Sequence, residues 1–249
     1  MKPCEFNSDA DEYAAVLLDS GIVFVSNRKE SVIKAMLDQE GKPTSSLYQY
    51  QNGLVQPFSK QINTSFNQGS ACFSNDGKTM YYTANIDPKM NDRGQASPSK
   101  LGIFSVMWDG KKWTAPQDFP WNDINCNTAH PCLDPTGTRL YYSSDREGGQ
   151  GGSDIYFSEL INNNWSKPIH LSNAVNTPGS ELYPFIDDNG FLYFSSDGHE
   201  GQGGLDVFMI AIQDGQLKGQ AFAPRGINSP ANDFALTLLP RGKKGYVSS

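Results

Sequence analysis

SSDREGGQGGSDIYFSEL, residues 143–160, sets Gly148, Gly149, Gly151 and Gly152 among Asp145, Glu147 and Asp154, between two apolar runs. Read alone, it could be a loop for a metal ion or a phosphate. A near-duplicate, SSDGHEGQGGLDVFMIAI, stands at residues 195–212. Repetition therefore comes first, because a repeat fixes the fold before any local motif is interpreted.

Working outward, an apolar residue followed by Asn recurs at Phe6-Asn7, Ile62-Asn63, Ile124-Asn125, Val175-Asn176 and Ile227-Asn228, at intervals of 56, 62, 51 and 52 residues. Each pair leads to a short strand: AAVLLDSG, ACFSNDG, PCLDPTG, PFIDDNG and ALTLLPRG. In these, Val16, Cys72, Cys132, Phe185 and Leu236 form one column, and Ala15, Ala71, Pro131, Pro184 and Ala235 form a column of smaller residues before it. A small column beside a larger one suits inner strands crowded around an axis. Asp, Asn and Gly then supply tight reversals.

A second strand follows each reversal (IVFVSN, MYYTAN, LYYSSD, LYFSSD, GYVSS), rich in aromatic and β-branched residues. The first four copies add a third strand, in LYQY, GIFSVMW, DIYFSEL and DVFMIAI, and a fourth segment containing LVQP, WTAP, WSKP or LKGQ. Pro at the end of that segment suits an outer edge, where a missing donor discourages sheet growth.

Four antiparallel strands per unit, repeated radially, predict an all-β chain folded as a β-propeller of five blades. The repeats run at about 6–61, 62–123, 124–174, 175–226 and 227–249, within a single domain over residues 1–249. Copy five supplies only FALTLLP and GYVSS, so the last blade is expected to be incomplete and the chain to be one module of a larger multidomain protein. Pro3 to Phe6 offers at most one short strand to that blade.

LYYSSDREGGQGGSDIYFSEL and LYFSSDGHEGQGGLDVFMIAI resemble the PD40 (WD40-like, TolB-type) repeat, and INCNTAHPCLDPTGTRLYY and VNTPGSELYPFIDDNGFLYF resemble its first half. The glycine loop is especially similar to those of propellers in OmpA-like envelope proteins of Bacteroidetes, including type IX secretion and gliding machinery. The resemblance implies a non-catalytic protein-interaction scaffold, periplasmic and outer-membrane associated. Its partners would be other envelope proteins, with peptidoglycan reached only through other modules.

The glycine loop keeps a competing reading, in which Asp145 and Asp154 are weak calcium candidates. A repeat-type calcium turn needs Gly-Gly-x-Gly-x-Asp, whereas Ser153 stands after Gly152; a phosphate loop needs Gly-Lys-Ser/Thr, which is absent. The favoured expectation is structural. Asp145 and Asp197 cap the turn leaving the second strand, the glycines supply positive φ, and Asp154 and Asp206 tie the excursion to the third strand. Copies one and two carry Ser46 and Gly102 in the Asp154 column, as a dispensable tie allows.

Composition narrows the functions. The net charge is −7 with scattered basic residues, so no nucleic-acid partner is expected. No apolar run approaches the roughly 18 residues of a membrane span, so direct membrane insertion is not expected. The four cysteines form no CxxC pair and read as core residues. His130, His170 and His199 fall in different columns, so neither metal nor any other cofactor is expected. Asp134, Asp187 and Asp188 sit beside turns, not as the facing acids of a glycosidase. GxSxG is absent, and no catalytic residue is assigned. Trp108, Trp113, Trp121 and Trp165 leave a glycan-binding module as the alternative, although Trp113 and Trp165 share a repeated column that packing explains.

The variable connections mark candidate partner surfaces. Copy one inserts RKESVIKAMLDQEGKPTSS between its second and third strands, with Val32, Ile33, Met36 and Leu37 spaced for a short helix; copy two inserts IDPKMNDRGQASPSK. Lys34, Asp38, Asn91 and Arg93 represent this face. Tyr246 and Ser248 represent the open edge of the fifth blade, where a strand could be added.

Overall fold

A computed structural model describes residues 2–19, 21–28, 44–63, 67–86, 100–240 and 244–249. Blade one comprises β1 (Glu12–Leu18), β2 (Gly21–Ser26), β3 (Ser46–Gln51) and β4 (Leu54–Pro57), and blade two β5 (Gln68–Phe73), β6 (Thr79–Asn85), β7 (Leu101–Met107) and β8 (Gln117–Asp118). Blade three holds β9 (Thr128–Leu133), β10 (Arg139–Ser144), β11 (Asp154–Ile161), β12 (Asn164–Trp165) and β13 (Ile169–His170). Blade four holds β14 (Glu181–Ile186), β15 (Phe191–Ser196), β16 (Asp206–Gln213) and β17 (Gln216–Phe222), and blade five β18 (Phe234–Leu238) and β19 (Gly245–Ser248).

Every strand pairing is antiparallel, and each blade is a separate sheet. The innermost strands pack in a closed circuit, β1 on β5, β5 on β9, β9 on β14, β14 on β18 and β18 back on β1. The fold is thus a five-bladed propeller whose ring closes, the fifth blade showing two strands among the described residues.

The second strand of each complete blade is the most enclosed. All six residues of β2 are buried, and Phe24, Tyr142 and Phe194 are 0–1% exposed. Outward-lying strands become progressively wetter, as β17 shows with Leu217 and Ala221 half-buried between exposed neighbours. Cys72, Cys126 and Cys132 are buried free thiols, and burial pushes the Cys72 and Cys132 thiols up, Cys132 to about 12. They serve as small apolar fillers.

Two sequence expectations change. The fourth segment of blade two pairs at Gln117–Asp118, not in the WTAP run, where Trp113 forms only an isolated bridge to Trp108. Residues 3–6 form no strand; Asn7 N–H closes a turn on the Cys4 carbonyl instead. Phe6 nevertheless fills the seam between blades five and one, 4.7 Å from the Phe24 ring and 5.9 Å from the Tyr246 ring. The helical reading of the first insertion lies outside the described residues.

One device went unseen in the sequence. All five inner strands carry a register shift at equivalent places. In four of them a non-glycine residue takes left-handed backbone, Ala14, His130, Tyr183 and Ala235 at φ 50–57°, which moves copy five by one residue from the columns read in the sequence, so that Thr237 and not Leu236 matches Val16. Such bulges are costly for bulky side chains and re-aim them. Here they turn His130 and Tyr183 toward the axis.

Candidate functional site

The axis opens on the face of the inner hairpin turns as a funnel of about 520 Å³, lined by His130, Tyr183, Cys72, Asp19 and Asp187 among others. At its base the His130 and Tyr183 rings stack with centroids 3.8 Å apart, and Tyr183 meets Phe234 at 5.2 Å. The His130 N–H donates to Thr83 Oγ1 (2.9 Å), joining blades two and three, while Nδ1 lies 2.7 Å from Ser143 Oγ. Burial lowers the His130 pKa to about 3, and burial also raises that of Tyr183. Both groups are neutral at physiological pH.

The acids near the funnel are spent on their own turns. Asp134 Oδ1 accepts the Thr138 and Arg139 N–H groups at 2.8 Å each, and Thr136 Oγ1 donates to its Oδ2. Asp187 Oδ1 accepts the Asn189 and Phe191 N–H groups at 3.0 and 2.8 Å. Asp188 stands exposed at the mouth. These bonds are those of turn caps. The tryptophans likewise pack. Trp113 is buried against Phe58 and Phe73, and Trp165 meets Tyr81 and Phe119. Trp121 Nε1 donates to the Trp165 carbonyl, and Trp108 is the exposed one at 40%.

On the opposite face a side chain at the exit of the second strand ties down the approach to the first strand of the same blade. Asp145 takes the Asn127 N–H and side-chain amide at 2.6 and 2.7 Å, and Asp197 takes the Ser180 N–H at 2.7 Å. Asn27 and Asn85 do the same for the Asp11 and Asn67 N–H groups, both at 3.0 Å. Asp145 and Asp197 thus hold the approach to the first strand and not the turn leaving the second that the sequence suggested, and Asn27 and Asn85 extend the arrangement to four blades. Asp154 Oδ2 accepts the Gln150 N–H, and Asp206 Oδ2 accepts those of Gln202 and Gly203. Asp145 and Asp154 thus serve separate hydrogen-bond sets, and no group of three or more potential ligands occurs among the described residues.

The glycines themselves serve a purpose other than the expected one. Of those between Gly148 and Gly152 only Gly148 has positive φ. A Cβ on Gly151 would strike the Thr177 and Gly179 carbonyls, and one on Gly203 the Ala231 carbonyl. The loops lie flat on the following blade, where Gly152 N–H donates to the Gly179 carbonyl (2.7 Å) and Asp233 N–H to the Leu205 carbonyl (2.6 Å). Close backbone approach, not turn conformation, demands glycine here.

The repeat asparagine is a second clasp. Asn63 Oδ1 accepts the Leu47 N–H (3.0 Å) and its Nδ2 donates to the Leu47 carbonyl (2.8 Å). Asn176 does this for Ile155 and Asn228 for Val207. In copy three the residue is Asn122, on Ile103. The expected pair Ile124-Asn125 is therefore misplaced by three residues. Ile124 is 49% exposed, and Trp121-Asn122 restores intervals of 56, 59, 54 and 52 residues. Each of these four asparagines holds a residue near the start of the preceding blade's third strand, the second of β3, β11 and β16 and the third of β7.

Of the surface candidates, Lys34, Asp38, Asn91 and Arg93 lie outside the described residues. Tyr246 and Ser248 are on β19, whose outer edge no strand pairs among the described residues. Beside it a cavity of about 300 Å³ is lined by Phe6, Asn7, Tyr246, Val247 and Ser248 among others.

No protein-family profile matches the chain, and no curated protein matches it. Among solved structures it is similar to TolB from Acinetobacter baumannii, at 14% identity and TM-score 0.56, covering 98% of this chain and 52% of that one. It is also similar to a Mycobacterium tuberculosis puromycin-hydrolyzing peptidase, at 12% identity and TM-score 0.54, covering 94% and 42% respectively. A thermostable family-43 glycoside hydrolase follows at 14% identity and TM-score 0.53, covering 96% and 82%. The chain spans about half the length of the TolB and peptidase chains. What these likenesses share with the chain is architecture, that of a β-propeller.

Proposed function

We propose that this propeller is a non-catalytic protein-interaction module of a bacterial envelope assembly, periplasmic and associated with the outer membrane. Two things support the reading: the TolB-type repeat that its sequence resembles, and a fold shared with TolB. The finer assignment is to type IX secretion and gliding, where copies three and four resemble the propeller of the accessory lipoprotein PorE. A fold alone does not choose a function, and hydrolases share this one.

The single observation that carries the non-catalytic reading is the state of Asp134 and Asp187. Both acids cap their own turns, so neither is poised as a free acid or base across the funnel. On the same face, the third-strand ends of blades two and three expose Met107 (52%), Trp108 (40%) and Ile161 (54%), apolar surface suited to a protein partner. The glycan-binding alternative loses support because Trp113, Trp121 and Trp165 are engaged in packing.

The test is capture of envelope proteins by the immobilised chain, alongside assays with chromogenic glycosides and peptides. Capture that weakens on combined charge or bulk changes at Lys34, Asp38, Asn91 and Arg93, with an unchanged melting temperature and no turnover, is the expected result. Glycoside or peptide turnover abolished by Asp187→Asn would contradict it.

A further inference from the structure

Two Asn-Gly pairs stand in the chain, Asn52-Gly53 and Asn189-Gly190, and each sits in a turn between consecutive strands, β3 to β4 and β14 to β15. Such turns favour the pair because both residues accept left-handed backbone. Chemistry works against it, since glycine has no Cβ to shield its amide nitrogen from the side-chain carbonyl of the asparagine before it. The fold guards one pair and leaves the other open.

At Asn189 both reacting groups are engaged. Its Nδ2 donates to Asp187 Oδ2 (3.1 Å), and the Gly190 N–H donates to the Asp187 carbonyl (3.2 Å). The Gly190 carbonyl accepts the Ile212 N–H of β16 (2.7 Å), which fixes that peptide against the sheet. Asn52 has none of these ties. Asn52 and Gly53 form an exposed two-residue turn at φ 53° and 78°, and the strand pairing ends beside them on Gln51 and Leu54. Among the described residues neither the Asn52 side chain nor the Gly53 N–H makes a hydrogen bond, and no atom lies within 4 Å of the place a Gly53 Cβ would take. β4 is four residues long and pairs with β3 alone, so this turn opens at lower cost than the β14–β15 hairpin, whose β15 is paired on both sides.

We propose that Asn52-Gly53 is a site of spontaneous deamidation and isomerisation, and that Asn189-Gly190 is protected from it. The Gly53 nitrogen, losing its proton to water or hydroxide, attacks Asn52 Cγ when the turn opens. A C–N bond forms to give a five-membered imide, the Cγ–Nδ2 bond breaks, and Nδ2 leaves as ammonia with a proton regained from solvent. One water then opens the imide at either carbonyl, giving aspartate or isoaspartate, with nothing oxidised or reduced. Either product adds a negative charge on the funnel face beside Leu54, which is 70% exposed. Isoaspartate also adds a methylene to the main chain, and a two-residue turn cannot absorb it without losing the Gln51–Leu54 pairing. Chemical ageing thus begins at the outer strand of blade one, on the face where apolar third-strand ends are exposed. This goes beyond the scaffold reading and does not depend on it.

The test is peptide mapping by mass spectrometry of the intact chain kept folded in mildly alkaline buffer, with a sample unfolded in urea alongside. In the folded chain the peptide containing Asn52 should gain aspartate and isoaspartate forms at least about tenfold faster than the peptide containing Asn189, since holding the reacting groups apart suppresses an intramolecular attack. In urea the two pairs should convert at matching rates. Equal rates at the two pairs in the folded chain overturn the proposal. So does an Asn52 that converts in urea and stays intact in the folded chain, because the turn then holds its own peptide closed. A difference between the pairs that persists in urea also overturns it, since neighbouring sequence and not the fold would then be the cause.

Discussion

Asn176 accepts the Ile155 N–H at 2.8 Å and returns its own amide N–H to the Ile155 carbonyl at 3.0 Å, so a side chain from the approach to blade four mimics a strand neighbour for blade three. Its Nδ2 also reaches the Leu171 carbonyl at 3.0 Å, and Asn176 and Ile155 are 0–1% exposed. Asn176→Ala therefore leaves the buried Ile155 N–H without a partner, while the Ile155 carbonyl keeps the Leu171 N–H at 3.1 Å. We expect a loss of about 1–3 kcal/mol in chemical unfolding, and Asn7→Ala should cost nearly nothing in the chain alone.

Gly151→Ala tests the glycine clasp. The new methyl would meet the carbonyls of Thr177 and Gly179, which cannot rotate away as a side chain tip would. About 1–3 kcal/mol of destabilisation is expected, despite the loop's exposed position. A melting curve unchanged by this substitution would show that the loop is not held against blade four.

Acid should weaken the molecule through His130. Burial lowers its folded pKa to about 3 from the ordinary 6.5, so between those values the unfolded chain binds a proton that the folded one refuses. This contribution to stability is full above about pH 6.5 and is lost progressively as the pH falls toward 3. The ring borders the funnel and keeps partial exposure, which makes the step smaller than the full shift implies. His130→Gln should flatten the pH dependence of unfolding in that window, and an identical slope in both proteins would argue against the linkage.

The repeat was legible because columns of small, apolar and turn residues survive in every copy, and the five blades follow from them. The tie made by Asp154 was legible for the same reason, whereas Asp145 binds Asn127 and not the turn it was expected to cap. Copy three misled, since Ile124-Asn125 satisfies the same two-letter pattern as Trp121-Asn122, and only the bonds to Ile103 separate them. The inner bulges left no mark because Ala14, His130 and Tyr183 adopt left-handed backbone without glycine. Contact between the glycine loop and the next blade is a tertiary matter that no local spacing reveals.

Completing the fifth blade should stabilise it. Fusing residues 145–160 of blade three after Ser249 supplies its loop and third strand. The melting temperature should then rise by several degrees, as about 1–2 kcal/mol shifts a domain of this size. No rise would mean that β19 does not accept a strand in that sense.

Hydrogen exchange in the unmodified chain is the most direct measurement of the open blade. β10 is hydrogen-bonded to strands on both sides, whereas β19 is bonded on one. The amides of Tyr246 to Ser248 should exchange at least about a hundredfold faster than those of Tyr141 to Ser143. Equal protection of the two strands would contradict the pairing of β19 on one side alone.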